Sequence, residues 1–142
     1  MKTAKEQLSS ILKTTQMGQV GIRCVLDYAT DANLIKELSS QLQEYDLLEQ
    51  NAHKLAQAKG WELPELPAMA KIMSNTYARA NLMLGNRDSR IAAMMINGNT
   101  KGMIKSIKNM HHGTDNDPEV TDLTQKLLSY ETANIRQMQA YL

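Results

Sequence analysis

Apolar residues recur three and four positions apart along most of the chain, the period of a helix with one buried face. Leu8, Ile11, Leu12, Thr15, Ile22, Val25, Leu26 and Ala29 mark the first stripe. Thr3-Ala4-Lys5-Glu6 has the form of a capping box at its start,. Ala29-Thr30-Asp31-Ala32 is a short break with Thr30 or Asp31 as the next cap,. Leu34, Leu38, Leu42, Tyr45, Leu48, Ala52 and Leu55 then form a second stripe, which stops at Lys59-Gly60,. So short a connection predicts an antiparallel hairpin.

Beyond Gly60 the pattern changes. Trp61-Glu62-Leu63-Pro64-Glu65-Leu66-Pro67 reads as extended chain, since each proline restricts the residue before it,. A shorter helix is predicted over residues 67–83, with Met69, Ile72, Met73, Tyr77 and Ala80 on one side,. Gly85-Asn86 breaks the chain, and a third long helix is predicted over 87–112, followed by Gly113,. Asp117-Pro118-Glu119 opens the last helix with a cap, a proline at its first position and an acid in its first turn,. Its stripe is Val120, Leu123, Leu127, Asn134, Ile135, Met138 and Tyr141.

The pattern predicts an all-α fold: two long hairpins joined by a crossover of about 27 residues. A connection of that length can run back along a four-helix bundle and make the second and third long helices parallel. Gly18, Gly21, Gly98 and Gly102 fall inside the first and third helices. An interior glycine costs about 1 kcal/mol relative to alanine, so close backbone approach between helices is the expected compensation. Kinks or frayed turns are the alternative.

Composition narrows the class. The chain has 142 residues (15.9 kDa), read as one domain spanning 1–142, and 42% of it is hydrophobic,. Sixteen basic against fifteen acidic residues leave a net charge of +1, so no overall field recruits nucleic acid or an anionic membrane,. No apolar run approaches a membrane span, and Met1-Lys2-Thr3-Ala4-Lys5-Glu6 lacks a signal-peptide stretch,. A single cysteine excludes an intramolecular disulfide framework,. The expected compartment is a reducing cytoplasm.

The whole-chain arrangement resembles the ferritin-like superfamily, in particular its small bacterial members of unknown function. That resemblance implies a Glu on the first and third helices and Glu-x-x-His on the second and fourth, together holding two iron ions. This chain departs from the pattern at every helix. The second helix offers Gln50-Asn51-Ala52-His53, and the fourth Glu131-Thr132-Ala133-Asn134. The first has Thr15, Gln16 and Gln19 at mid-length, and the third has Asn97 and Asn99. Neutral amides cannot supply the charge that two iron ions require, so di-iron chemistry is not expected to come with the fold.

A reduced metal site would draw on Glu49 and His53, one helical turn apart, and on Glu131,. Counted from the turn near residue 30, Glu49 lies about 19 residues along the bundle and Glu131 about 9. That offset of roughly 15 Å argues against their sharing a site. The same count sets Glu131 level with Asn99 and Gln19, so Gln19, Asn99, Glu131 and Asn134 are expected to form a buried polar layer that fixes helix register. Solvated boundary positions and a ligand or metal pocket are the competing readings of these four residues.

Other residues carry less. His111-His112 suits the dipole at a helix C-terminus,. Cys24 reads as a core thiol, and Met94, Met95, Met103, Met110 and Met138 as core filling with a part free for a partner,. Lys101, Lys105 and Lys108, with Arg87 and Arg90 upstream, read as a solvated face or as a site for an acidic protein or phosphate. No catalytic motif is present in the sequence. The expected function is that of a non-catalytic ferritin-like bundle in self-association, as a homodimer through a Met-rich face, or in protein binding. No cofactor, nucleic acid or membrane is expected. The alternative is a metal-binding or redox protein using iron, manganese or zinc at a reduced site.

Overall fold

The computed structural model describes residues 2–67, 78, 79, 82, 85–113 and 117–142. Among the described residues, four long helices carry the fold: α1 (Ala4–Leu26), α2 (Ala32–Ala58), α3 (Arg87–His112) and α4 (Pro118–Gln139). No strand occurs among the described residues, and no described helix is long and apolar enough to cross a membrane. The helix predicted over 67–83 lies almost wholly outside the described residues. Of that segment Ala78 and Leu82 are described and buried.

The helix ends follow local chemistry. Thr3 Oγ1 accepts from the Glu6 amide, and Asp31 accepts from the amides of Asn33 and Leu34. Asp117 does the same for Glu119 and Val120 ahead of Pro118. These bonds satisfy amides that the helix itself leaves without partners. α1 stops at Leu26, three residues short of the end of its apolar stripe. Tyr28 and Ala29 instead pack on the core from the turn.

Contacts between the ends fix the direction of every helix. The Lys2 amide donates to the His112 carbonyl, the Gln7 amide side chain to the Asn109 carbonyl, and the Asn109 side chain to Ser10 Oγ. The start of α1 therefore meets the end of α3, and the two run antiparallel. Lys59 Nζ pairs with Asp117 Oδ2 at 2.7 Å, and Gln41 Nε2 donates to Gln137 Oε1, so α2 and α4 are antiparallel as well. α1–α2 and α3–α4 are the tightly packed hairpins, with α1 against α3 and α2 against α4 closing the bundle. α2 and α3 thus run parallel, as a long crossover requires.

Leu8, Ile11, Leu12, Ile22, Leu34, Leu38, Ile91, Leu127 and Met138 form the sealed part of the core. Met95 is also buried, and Met94, Met103 and Met110 are half-buried, so this Met cluster mainly serves the interior. The glycines divide into two kinds. Side chains, rather than backbones, fill the space beside Gly18 and Gly102: the Tyr45 ring at Gly18 and the Glu131 carboxyl at Gly102. Nothing lies within 4 Å of where a Cβ would stand at Gly21 or Gly98, so close approach does not account for those two.

Candidate functional site

Midway along the bundle the apolar core gives way to polar side chains. Tyr45, on the inner face of α2, lays its ring over Gly18, with ring carbons 2.7 Å from where a Cβ would stand. Only a residue without a side chain leaves that space. The Tyr45 hydroxyl donates to Asn99 Oδ1 at 2.7 Å, and Asn99 Nδ2 donates back to the Met95 carbonyl at 2.8 Å. The Tyr130 ring meets Tyr45 edge to face, with centroids 5.0 Å apart, and its hydroxyl donates to the Gln41 carbonyl at 2.6 Å.

Glu131 sits at the centre of this level, 1% exposed, with its carboxyl against the backbone of Gly102. Neither carboxyl oxygen has a hydrogen-bond partner among the described residues. Burial pushes its pKa up to about 8, because an ion would lose its hydration here without a compensating partner,. At neutral pH the group is therefore mostly an uncharged acid. Burial also raises the Tyr45 hydroxyl well above the ordinary range, reinforced by the nearness of Glu131 and Tyr130. The Asn134 side chain lies beside both phenols and opposes their rise, although its Nδ2 falls outside hydrogen-bonding geometry.

All four residues of the expected polar layer are buried: Gln19, Asn99, Glu131 and Asn134. Asn99, Glu131 and Asn134 gather around Tyr45. Gln19 turns instead toward α2, where its Nε2 donates to Glu49 Oε1 at 3.0 Å. Sequence reasoning left Tyr45, Tyr130 and Gln41 out of the layer, having placed Tyr45 within an apolar stripe. The available signal was the tyrosine hydroxyl itself, which needs a partner wherever its ring is buried.

The metal candidates do not form one cluster among the described residues. Glu49 Oε2 and His53 Nε2 are 3.8 Å apart, but His53 is exposed at the surface while Glu131 is sealed inside. Gln50 and His53, the α2 counterparts of the di-iron motif, both point to solvent, whereas Glu131 and Asn134 on α4 point inward. Among the described residues no three His, Cys, Asp or Glu side chains converge closely enough to hold a metal ion. His53 instead lines a shallow surface groove of about 340 Å³ with Lys54, Gln57, Trp61 and Leu63.

Elsewhere, Cys24 is half-buried against the core, and burial pushes its thiol pKa up, away from reactivity,. His111, His112, Lys101, Lys105 and Lys108 are all exposed on α3. Comparison with known proteins returns nothing: no family model, no curated protein and no solved structure matches the chain.

Proposed function

We propose that the chain is a ferritin-like bundle whose middle level serves as a structural polar layer, and that it acts without catalysis, in self-association or protein binding. The observation that carries this reading is the donor set around Glu131. One carboxyl, two phenols and amide side chains face one another there, and the carboxyl favours its neutral form. Such a set is poor in the anionic ligands that iron, manganese or zinc select. It suits a layer that sets the register of α2, α3 and α4 through Tyr45, Asn99 and the seat of Glu131 on Gly102.

The competing reading is a reduced metal site on Glu49 and His53, favoured by their 3.8 Å approach. Metal analysis of untagged protein, with iron, manganese and zinc quantified, separates the two. The expected result is metal well below one ion per chain in folded protein. Near-stoichiometric metal that is lost in Glu49→Gln or His53→Ala would overturn the scaffold reading.

A further inference from the structure

The net charge of +1 conceals a basic face that the packing of α1 beside α3 assembles. Together these two helices carry eight Lys and Arg against two Asp and Glu. Both acids stand at helix starts: Glu6 in the first turn of α1, and Asp88 in the first turn of α3, where the Thr30 and Asp31 amides bind it. Beyond those first turns neither helix contains a carboxylate. Register then brings the lysines together. Gln7 and Ser10 on α1 meet Asn109 on α3. One turn away from that contact Lys13 comes level with Lys105, and a further turn brings Met17 level with Lys101. The pKa of Lys105 is lowered by burial first, and then by the charges of Lys2 and Lys13.

Lys101, Lys105 and Lys108 follow the spacing of one helical face, and all three are exposed,. Among the described residues the ion pairs join Lys59 to Asp117 and Glu119, Lys126 to Asp122, and His53 to Glu49, so none neutralises Lys13, Lys101, Lys105 or Lys108. The same face exposes large apolar side chains. Ile104, 48% exposed, stands between Lys101 and Lys108 on α3, and Met17, 38% exposed, follows Lys13 by one turn on α1. Uncompensated lysines set around exposed apolar groups match a surface that carries carboxylates and apolar side chains of its own.

The make-up of the face selects among anions. α1 and α3 contain no Phe, Trp or Tyr, so nucleic-acid bases find nothing to stack on,. The cations around Ile104 are all lysines, while Arg23, Arg87 and Arg90 lie toward the opposite end of the bundle. The guanidinium forks that grip phosphate at two points are therefore missing from it. Two exposed apolar side chains are also far short of the continuous apolar face that holds a helix in a lipid interface. We propose that the α1–α3 face docks an acidic segment of a partner protein, its carboxylates on Lys13, Lys101, Lys105 and Lys108 and its apolar side chains on Met17 and Ile104. The proposal rests on the protein-binding reading above and names the chemistry of the partner.

Fluorescence anisotropy on the full-length chain tests this with two labelled peptides of equal charge, one built of Glu-Glu-Leu repeats and the other of Glu-Glu-Ser repeats. The wild type should bind the leucine peptide at about 0.1 M NaCl and release it near 1 M, as the Debye length falls from about 10 Å to about 3 Å. Lys101→Glu, Lys105→Glu and Lys108→Glu together should weaken that binding at least about tenfold. Lys36→Glu, Lys54→Glu and Lys126→Glu, the same change of charge on α2 and α4, should leave it at the wild-type level. Ile104→Ser should weaken binding of the leucine peptide several-fold and leave the serine peptide unchanged. All these positions are exposed, and helical circular dichroism equal to wild type shows that the variants are folded.

Equal loss in the two triple variants would reduce the effect to net charge and overturn the docking face. Tighter capture of single-stranded DNA or of phosphatidylserine vesicles than of the leucine peptide would assign the face to phosphate and overturn the acidic partner. A wild type that binds neither peptide would overturn the docking face alone. The non-catalytic reading would then still stand, since only stoichiometric metal overturns it.

Discussion

The carboxyl of Glu131 rests against the backbone of Gly102, in the space a side chain at position 102 would fill. An acid on one helix and an absent side chain on its neighbour are thereby a single feature, and removing either exposes the other. Glu131 cannot swing out to solvent from a position 1% exposed. Its ionisation therefore couples stability to pH above the acid range.

Stability should fall as pH rises from about 4.5 to about 8. The Glu131 carboxyl ionises near 4.5 when unfolded and near 8 when buried, so the native state binds more protons throughout that window. The slope contributed by this one group is up to about 1.4 kcal/mol per pH unit, and it flattens above the folded pKa. Urea unfolding at several pH values measures it. Glu131→Gln should abolish the decline, so that the variant gains on the wild type as pH rises; parallel curves would assign the pH dependence to other groups.

Asn99→Leu should cost about 1–3 kcal/mol, because the buried Tyr45 hydroxyl loses its acceptor,. Tyr45→Phe in the same chain should recover much of that loss, since both ends of the bond are then apolar. A double-mutant cycle reads the coupling directly. Additive losses would mean that the bond contributes nothing to the layer.

The glycines should respond with opposite signs. Gly18→Ala should destabilise the protein by about 1–3 kcal/mol, because the Tyr45 ring is rigid and occupies the space of the new methyl,. Gly21→Ala meets nothing within 4 Å and should stabilise the helix by up to about 1 kcal/mol,. Thermal or urea midpoints of the two variants should move in opposite directions.

Asp88 in the first turn of α3 holds the α1–α2 turn, accepting from the Thr30 amide at 2.8 Å, the Thr30 hydroxyl at 2.7 Å and the Asp31 amide at 3.0 Å. Partial burial raises its pKa, but these hydrogen bonds outweigh that and leave it below the ordinary carboxylate value. Its stabilising effect is therefore present above the unfolded pKa of about 3.9 and is lost as pH falls through the lower folded value. Asp88→Ala should cost about 1–3 kcal/mol at neutral pH. It should also remove this acid-sensitive part of the stability, as denaturation near pH 3 would register.

Most of the architecture was legible in the sequence because helix ends are decided locally. Thr3, Asp31 and Asp117 cap where their side chains reach the next amides, and α3 begins at Arg87 and ends at His112 as its flanking glycines predict. Counting residues from the first turn also placed Asn99 and Glu131 at one level, since a helix advances by a fixed rise per residue. Rotation about the helix axis is set by packing rather than by local sequence. Gln50 and His53 face outward while Tyr45 faces in, and one position of register turns a side chain by about 100°,.

What the sequence determined by itself was therefore the four long helices and most of their ends, and the burial of a few polar residues among apolar ones. Those properties depend on neighbours three or four residues away. The tertiary structure alone decided that Asp88 would hold a turn 58 residues earlier in the chain, and that Gly18 and Gly102 would receive Tyr45 and Glu131. Each of these rests on which helices become neighbours, a choice made by packing the whole bundle and not by any local run of residues.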